Sequence, residues 1–186
     1  WRKDIPESGW GRPWGGGSKW DVWIRNSTRG EYYYAAFWSG MPDLNHRSEK
    51  VKEEVYKFTK FWLDKGVDGF RLDAIRYLIE TGPGGGQADT EETLAWFEDF
   101  HRYVKSINSN AVLVGEVWEK NQIVSRYYST NGIMDLCFDF DRAGAFLSGD
   151  KDAIIRVYMN QKRYNAPVDF YAPFLANHDH YRAMNQ

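Results

Sequence analysis

The sequence predicts an α/β protein whose parallel sheet is part of a (β/α) barrel, and three observations predict it. Short, mostly apolar runs, VDGFRLD (67–73), AVLVGEV (111–117) and YAPFLANHD (171–179), read as strands buried on both faces. Helix-length amphipathic stretches separate them, which calls for right-handed crossovers between parallel strands. An acidic residue stands at or near the end of each run, Asp73, Glu116 and Asp179, and polar residues delivered at strand tips collect on one face of a barrel. A doubly wound sheet would more often carry a Gly-rich phosphate loop after its first strand. GPGGG (82–86) has neither the GxGxxG spacing nor a helix directly behind it, and reads as a flexible loop.

The elements follow in order. Over 48–65, Val51, Val55, Phe58 and Trp62 recur at helical spacing and Gly66 stands where a helix would stop. The strand 67–73 begins at once. Over 90–106, Leu94, Phe97, His101 and Val104 repeat the helical pattern, with Thr90 as its start and Glu91 and Glu92 in the first turn. MDLCFDFD (134–141) reads as a further strand and 153–162 as a further helix.

Composition narrows the class. With 42% hydrophobic and 27% charged residues the chain is that of a soluble globular protein, and a formal charge of −2 without a long basic run argues against nucleic acid. No apolar run approaches the ~20 residues of a membrane span. Cys137 is the single cysteine, so no disulfide forms within the chain. Nine Trp suit stacking against sugar rings. Trp10, Trp14, Trp20 and Trp23 lie among Gly and polar residues and are the candidates for ligand contact, while Trp62 and Trp96 sit in helical patterns and read as packing residues.

GFRLDAIRY, VLVGEVW and FLANHD resemble the second, third and fourth signature regions of the alpha-amylase family, glycoside hydrolase family 13, and GMPDLN (40–45) resembles the fifth. The resemblance implies a (β/α)8 TIM barrel of which this chain holds roughly strands 4 to 7. Residues 1–40 would then be the tail of the family's inserted small domain and 41–186 a partial catalytic barrel. A complete barrel takes ~250 residues, and the family's first signature, an Asp-rich strand ending in Asn-His, has no counterpart here. The chain is therefore expected to be a piece of a longer protein, inactive by itself.

Carried over by position, the resemblance makes Asp73 the nucleophile, Glu116 the acid/base and Asp179 the carboxylate that stabilises the transition state. Arg71 would hold Asp73 ionised, and His178 would bind the sugar beside the scissile bond. The implied function is a retaining glycoside hydrolase acting on α-1,4-glucans, with an α-glucan as partner. The same constellation also serves α-glucan transglycosylases and α-1,6-glucosidases. A noncatalytic amylase-like binding protein is the reading from another class, but such domains lose catalytic acids and all three stand here. A polymeric substrate such as starch suggests a secreted or periplasmic protein. Calcium is the cofactor the resemblance allows, with a carboxylate from Asp43 and the carbonyl of Tyr77, which replaces the family's histidine. Asp43 equally fits a structural role, capping the loop before the next helix.

Duller readings stand beside these. Arg71 and Asp73, two apart on one strand, could be a structural ion pair. Glu116 alone could be a surface acid, but flanked by VLVG and Trp118 it reads as a carboxyl in an apolar setting, where desolvation raises its pKa. His178 and His180 flank Asp179 without the spacing of a zinc site. Asp135, Asp139 and Asp141 alternate along the fourth run, and polar contacts at the barrel ends are favoured for them over a carboxylate cluster.

Overall fold

In the computed structural model, which describes residues 1–4, 6–179 and 182–183, the chain falls into two compact units: Trp1–Lys57 with Arg76–Thr93, and Phe58–Ile75 with Leu94–Gln186. His180 lies outside the described residues.

In the first unit a short helix α1 (Lys19–Val22) runs into a hairpin of β1 (Trp23–Asn26) and β2 (Glu31–Tyr34), paired antiparallel from Trp23↔Tyr34 to Asn26↔Glu31. Trp10, Val22, Trp23 and Tyr32 form its core with Tyr34 packed against them, and Trp10 meets Trp23 edge-on at 5.3 Å. Trp10 and Trp23 are thus core residues rather than the ligand contacts expected of them. Trp14 and Trp20 remain exposed. The GPGGG run is not a free loop either: Gly84–Gln87 makes a 3-10 turn. The buried Gln87 amide pins it, donating to the Gly11 carbonyl at 2.7 Å and to the Tyr34 hydroxyl at 2.9 Å.

Helices α2 (Glu49–Asp64) and α3 (Glu91–Ile107) each begin in the first unit and end in the second. The buried residues of α2 are Thr59 and Leu63, whereas Phe58, Phe61 and Trp62 face outward, Trp62 being 45% exposed. The expected stripe through Phe58 and Trp62 is therefore rotated by one residue. Two apolar rows lie side by side on this helix, and periodicity by itself does not choose between adjacent rows. In α3 the Thr90 hydroxyl accepts from Thr93 N at 3.1 Å, the N-cap expected of it. Trp96, Phe97, Phe100 and Val104 are buried, with Trp96 and Phe100 stacked at 5.3 Å.

The second unit is built on a parallel sheet, β3 (Gly69–Leu72), β4 (Val112–Gly115), β5 (Leu136–Phe138) and β6 (Tyr171–Ala172), in that order. Gly69 has φ 151°, and a Cβ there would lie 2.0 Å from the Val112 carbonyl oxygen, so only glycine lets β3 approach β4 this closely. After β4 comes the single-turn helix α4 (Asn121–Val124).

The expected strand over 134–141 shrinks to three residues, because Asp139 ends it as the N-cap of an unforeseen helix, α5 (Phe140–Ser148), which closes on Gly149 at φ 65°. Helix α6 (Lys151–Gln161) follows, capped by Asp150. Asp139 is fully buried. Its carboxylate accepts from Arg142 N (2.9 Å), Asn121 Nδ2 (3.1 Å) and Gln161 Nε2 (2.6 Å), joining α4, α5 and α6. Asp141 takes Lys120 and Asn121 N, and Asp135 takes Lys105 and Leu113 N. The three acids hold elements together separately and form no cluster. Among the described residues no helix is long and apolar enough to cross a membrane.

Candidate active site

β3 and β4 pair in register up to Leu72↔Gly115, so the next residue of each strand, Asp73 and Glu116, leaves the sheet at the same level. The ladder continues one bond further, Glu116 N donating to the Leu72 carbonyl at 2.9 Å. Arg71 lies on the same strand as Asp73 and joins both acids: Nη1 donates to Asp73 Oδ1 and Nη2 to Glu116 Oε2, each at 2.6 Å. A purely local ion pair would need only the first bond. The second carries Arg71 across to the neighbouring strand.

Ala74 adds a group that side-chain reasoning missed. It stands in the left-handed region at φ 43°, uncommon for a residue with a Cβ and a mark of stored strain at functional turns. That turn directs Ala74 N–H at Glu116 Oε2 (3.3 Å). Ile75 N then donates to the Glu116 carbonyl at 3.3 Å, so both ends of Glu116 are tied to the turn after Asp73. No signal in the sequence marks a main-chain donor of this kind. Gly115 is small for a reason on the page: a Cβ would lie 2.6 Å from Ile75 Cδ1 and 3.1 Å from Cys137 Sγ.

The two acids differ in environment. Asp73 is exposed, while Glu116 is only 5% exposed. Burial raises the Glu116 pKa, and a hydrogen bond with Asp73 raises it further, against the lowering effects of Ala74 N–H and Arg71.

The other expected site residues stand elsewhere. Pro173 has no N–H to extend β6, which stops at Ala172. Asp179 follows in a turn, with its amide on Asn177 Oδ1 (3.0 Å) and its carboxylate 3.1 Å from His178 Nε2, both side chains exposed. Among the described residues, no hydrogen bond or ion pair joins Asp179 or His178 to the Asp73–Glu116 pair.

In the first unit, Arg76 is buried and holds the Asp89 carboxylate through Nε and Nη2, at 2.7 Å for the shortest bond. Asp43 turns its carboxylate onto Ala36 N at 2.7 Å, the structural role left open for it. Tyr77 packs against Trp14 and Phe37. Among the described residues no group of three or more His, Cys, Asp or Glu is placed to hold a metal ion.

Two carboxyls bridged by an arginine stand at the tips of adjacent parallel strands. The family model described as Alpha amylase, catalytic domain, matches residues 3–185, and the chain belongs to that family, glycoside hydrolase family 13. It is 38% identical over 169 residues to Alpha-amylase 3 of Dictyoglomus thermophilum, covering 87% of this chain and 31% of that protein. It is 39% identical over 100 residues to the Trehalose synthase of Pimelobacter sp., covering 54% of this chain and 17% of that protein. The crystal structure of alpha-amylase from H. orenii superposes with a TM-score of 0.77 at 31% identity, over 98% of this chain and 36% of that one. The parallel sheet and its helices are thus part of a (β/α)8 TIM barrel. The chain spans about a third of the length of Alpha-amylase 3. Members of the family commonly bind calcium.

Proposed function

We propose that the protein is a retaining glycoside hydrolase acting on α-1,4-glucans. The observation that carries this reading is the exposed Asp73 and the buried Glu116 joined through Arg71. In the first step an Asp73 oxygen forms a bond to the anomeric carbon as the glycosidic C–O bond breaks, and the Glu116 proton passes to the departing oxygen. In the second, Glu116, now a base, takes a proton from water. The water oxygen bonds to the anomeric carbon, releasing Asp73 with net retention. Arg71 sets its positive charge against both carboxyls. Asp179 would stabilise the oxocarbenium-like transition state and His178 would hold sugar hydroxyls once both face the bound ring, roles that rest on the family resemblance. A calcium site in the whole protein would need oxygen donors beyond Asp43 and Tyr77, and no step above depends on one.

In the full-length protein, Asp73→Asn should lower turnover on the order of 10⁴-fold or more while glucan binding persists, since the amide keeps the shape and loses the nucleophile. Glu116→Gln should harm natural glucans far more than activated aryl glucosides, whose leaving groups depart with little protonation. Equal losses on both substrate types would remove Glu116 from the acid role. Similarity to a trehalose synthase supports a second reading, α-glucan transglycosylation, in which a sugar hydroxyl replaces water. Product analysis on maltooligosaccharides separates the two: longer or rearranged sugars indicate transfer, shorter ones hydrolysis.

A further inference from the structure

The turn after Asp73 grips Glu116, and both donors that reach its carboxyl from this side fall on one oxygen. Oε2 accepts from Arg71 Nη2 at 2.6 Å and from Ala74 N at 3.3 Å. The main chain repeats the attachment, with Ile75 N donating to the Glu116 carbonyl at 3.3 Å and Glu116 N to the Leu72 carbonyl at 2.9 Å. Side chain and backbone of Glu116 are thus both tied to β3 and its turn.

The turn is held in a conformation that a residue with a Cβ resists. Ala74 stands at φ 43°, in the left-handed region, and its N–H is the group so aimed at Oε2. Packing keeps it there. Ile75 is buried, and its Cδ1 occupies the space beside Gly115, 2.6 Å from where a Cβ on that glycine would stand. Rotating the turn outward would open that space. An oxygen that accepts two N–H donors, one of them cationic, is the less basic oxygen of its carboxyl, and a proton placed on it would point against those donors. The acid proton therefore belongs on Oε1.

We propose that the Ala74 N–H is a positioning group which, with Arg71, holds Oε2 as an acceptor and leaves Oε1 to give the proton to the departing glycosidic oxygen and to take one from water in the second step. The proposal rests on the acid/base role of Glu116 proposed above. It adds the atom that performs that role and the main-chain group that fixes it.

The test removes the Ala74 N–H alone, by placing L-lactic acid at position 74 of the full-length protein so that an ester oxygen replaces it, and titrates Glu116 by infrared difference against Glu116→Gln. A donor to the ionised form favours that form, so its loss should move the titration upward, by about one pH unit for a hydrogen bond to a charged group. Ala74→Gly keeps the N–H and should move it less. On maltoheptaose the ester should keep its activity to correspondingly higher pH, with kcat about tenfold lower and KM little changed, while activated aryl glucosides should lose less. A merely structural role would lower the melting temperature and reduce both substrates together. An unmoved Glu116 titration in the folded ester overturns the proposal, and so does an equal move in Ala74→Gly. Should the ester fail to fold, Ala74→Val decides by the same titration, because a β-branched residue resists φ 43° and carries the N–H away; an upward move supports the proposal and an unmoved titration overturns it. The titration needs no turnover, so a wild type that fails to hydrolyse maltoheptaose counts against the hydrolase reading and leaves the infrared result to judge Ala74.

Discussion

Glu80→Gln should flatten the dependence of stability on pH. Glu80 lines a cavity of about 310 Å³ with Trp23, Tyr34, Asp43, Asn45, His46 and Arg47. Burial pushes its carboxyl from an ordinary 4.5 up to about 7, Asp43 adds to the rise, and Arg47 opposes it. A carboxyl whose folded pKa is raised contributes stability that is fully present below 4.5 and lost as pH rises through about 7. At about 1.4 kcal/mol per pH unit, ionising Glu80 costs the folded state about 3 kcal/mol in all. Denaturant unfolding between pH 5 and pH 8 should show this loss in the wild type. The glutamine variant, uncharged throughout, should lose much less. Parallel wild-type and variant profiles across that range would refute the reasoning.

Asp139→Ala should cost about 3–5 kcal/mol, since it leaves the buried Arg142 guanidinium without its carboxylate and removes the cap of α5; urea unfolding measures it, and a loss under 1 kcal/mol would show that the site relaxes freely. The 186 residues expressed alone should not hydrolyse starch, because the four parallel strands among the described residues leave the barrel unclosed; starch hydrolysis by the segment, abolished by Asp73→Asn, would overturn that.

The fold class was legible because its signals are local. Apolar runs of strand length, the caps at Thr90 and Gly66 and the period of α3 each act within a few residues, and α2 and α3 appear within a residue or so of the expected bounds. What was illegible depended on competition between neighbouring readings. FDFD alternates like a strand until Asp139 is seen accepting Arg142 N, at which point the same residues begin a helix. The two apolar rows of α2 differ by one residue, and only contacts decide which is covered. Trp10 and Trp23 looked like ligand residues because irregular sequence hides their shared core.

The site shows the same division more sharply. That an acid follows each apolar run is written in the sequence, but a carboxyl pair requires the two acids to leave the sheet at one level, and register is a tertiary property. Leu72↔Gly115 supplies that level, helped by the close approach that Gly69 permits at the start of β3. Arg71 then distinguishes a site from a surface ion pair. Side chains two apart on a strand share a face, so its contact with Asp73 was foreseeable, whereas its bond to Glu116 exists only because β4 is the neighbour of β3. Asp179 lacks such a constraint. Its strand ends at Ala172 before Pro173, seven residues short of it, and no ladder fixes the level at which it stands. The family motif singles out Asp179 by its neighbours in sequence alone, while Asp73 and Glu116 are also joined to each other through Arg71.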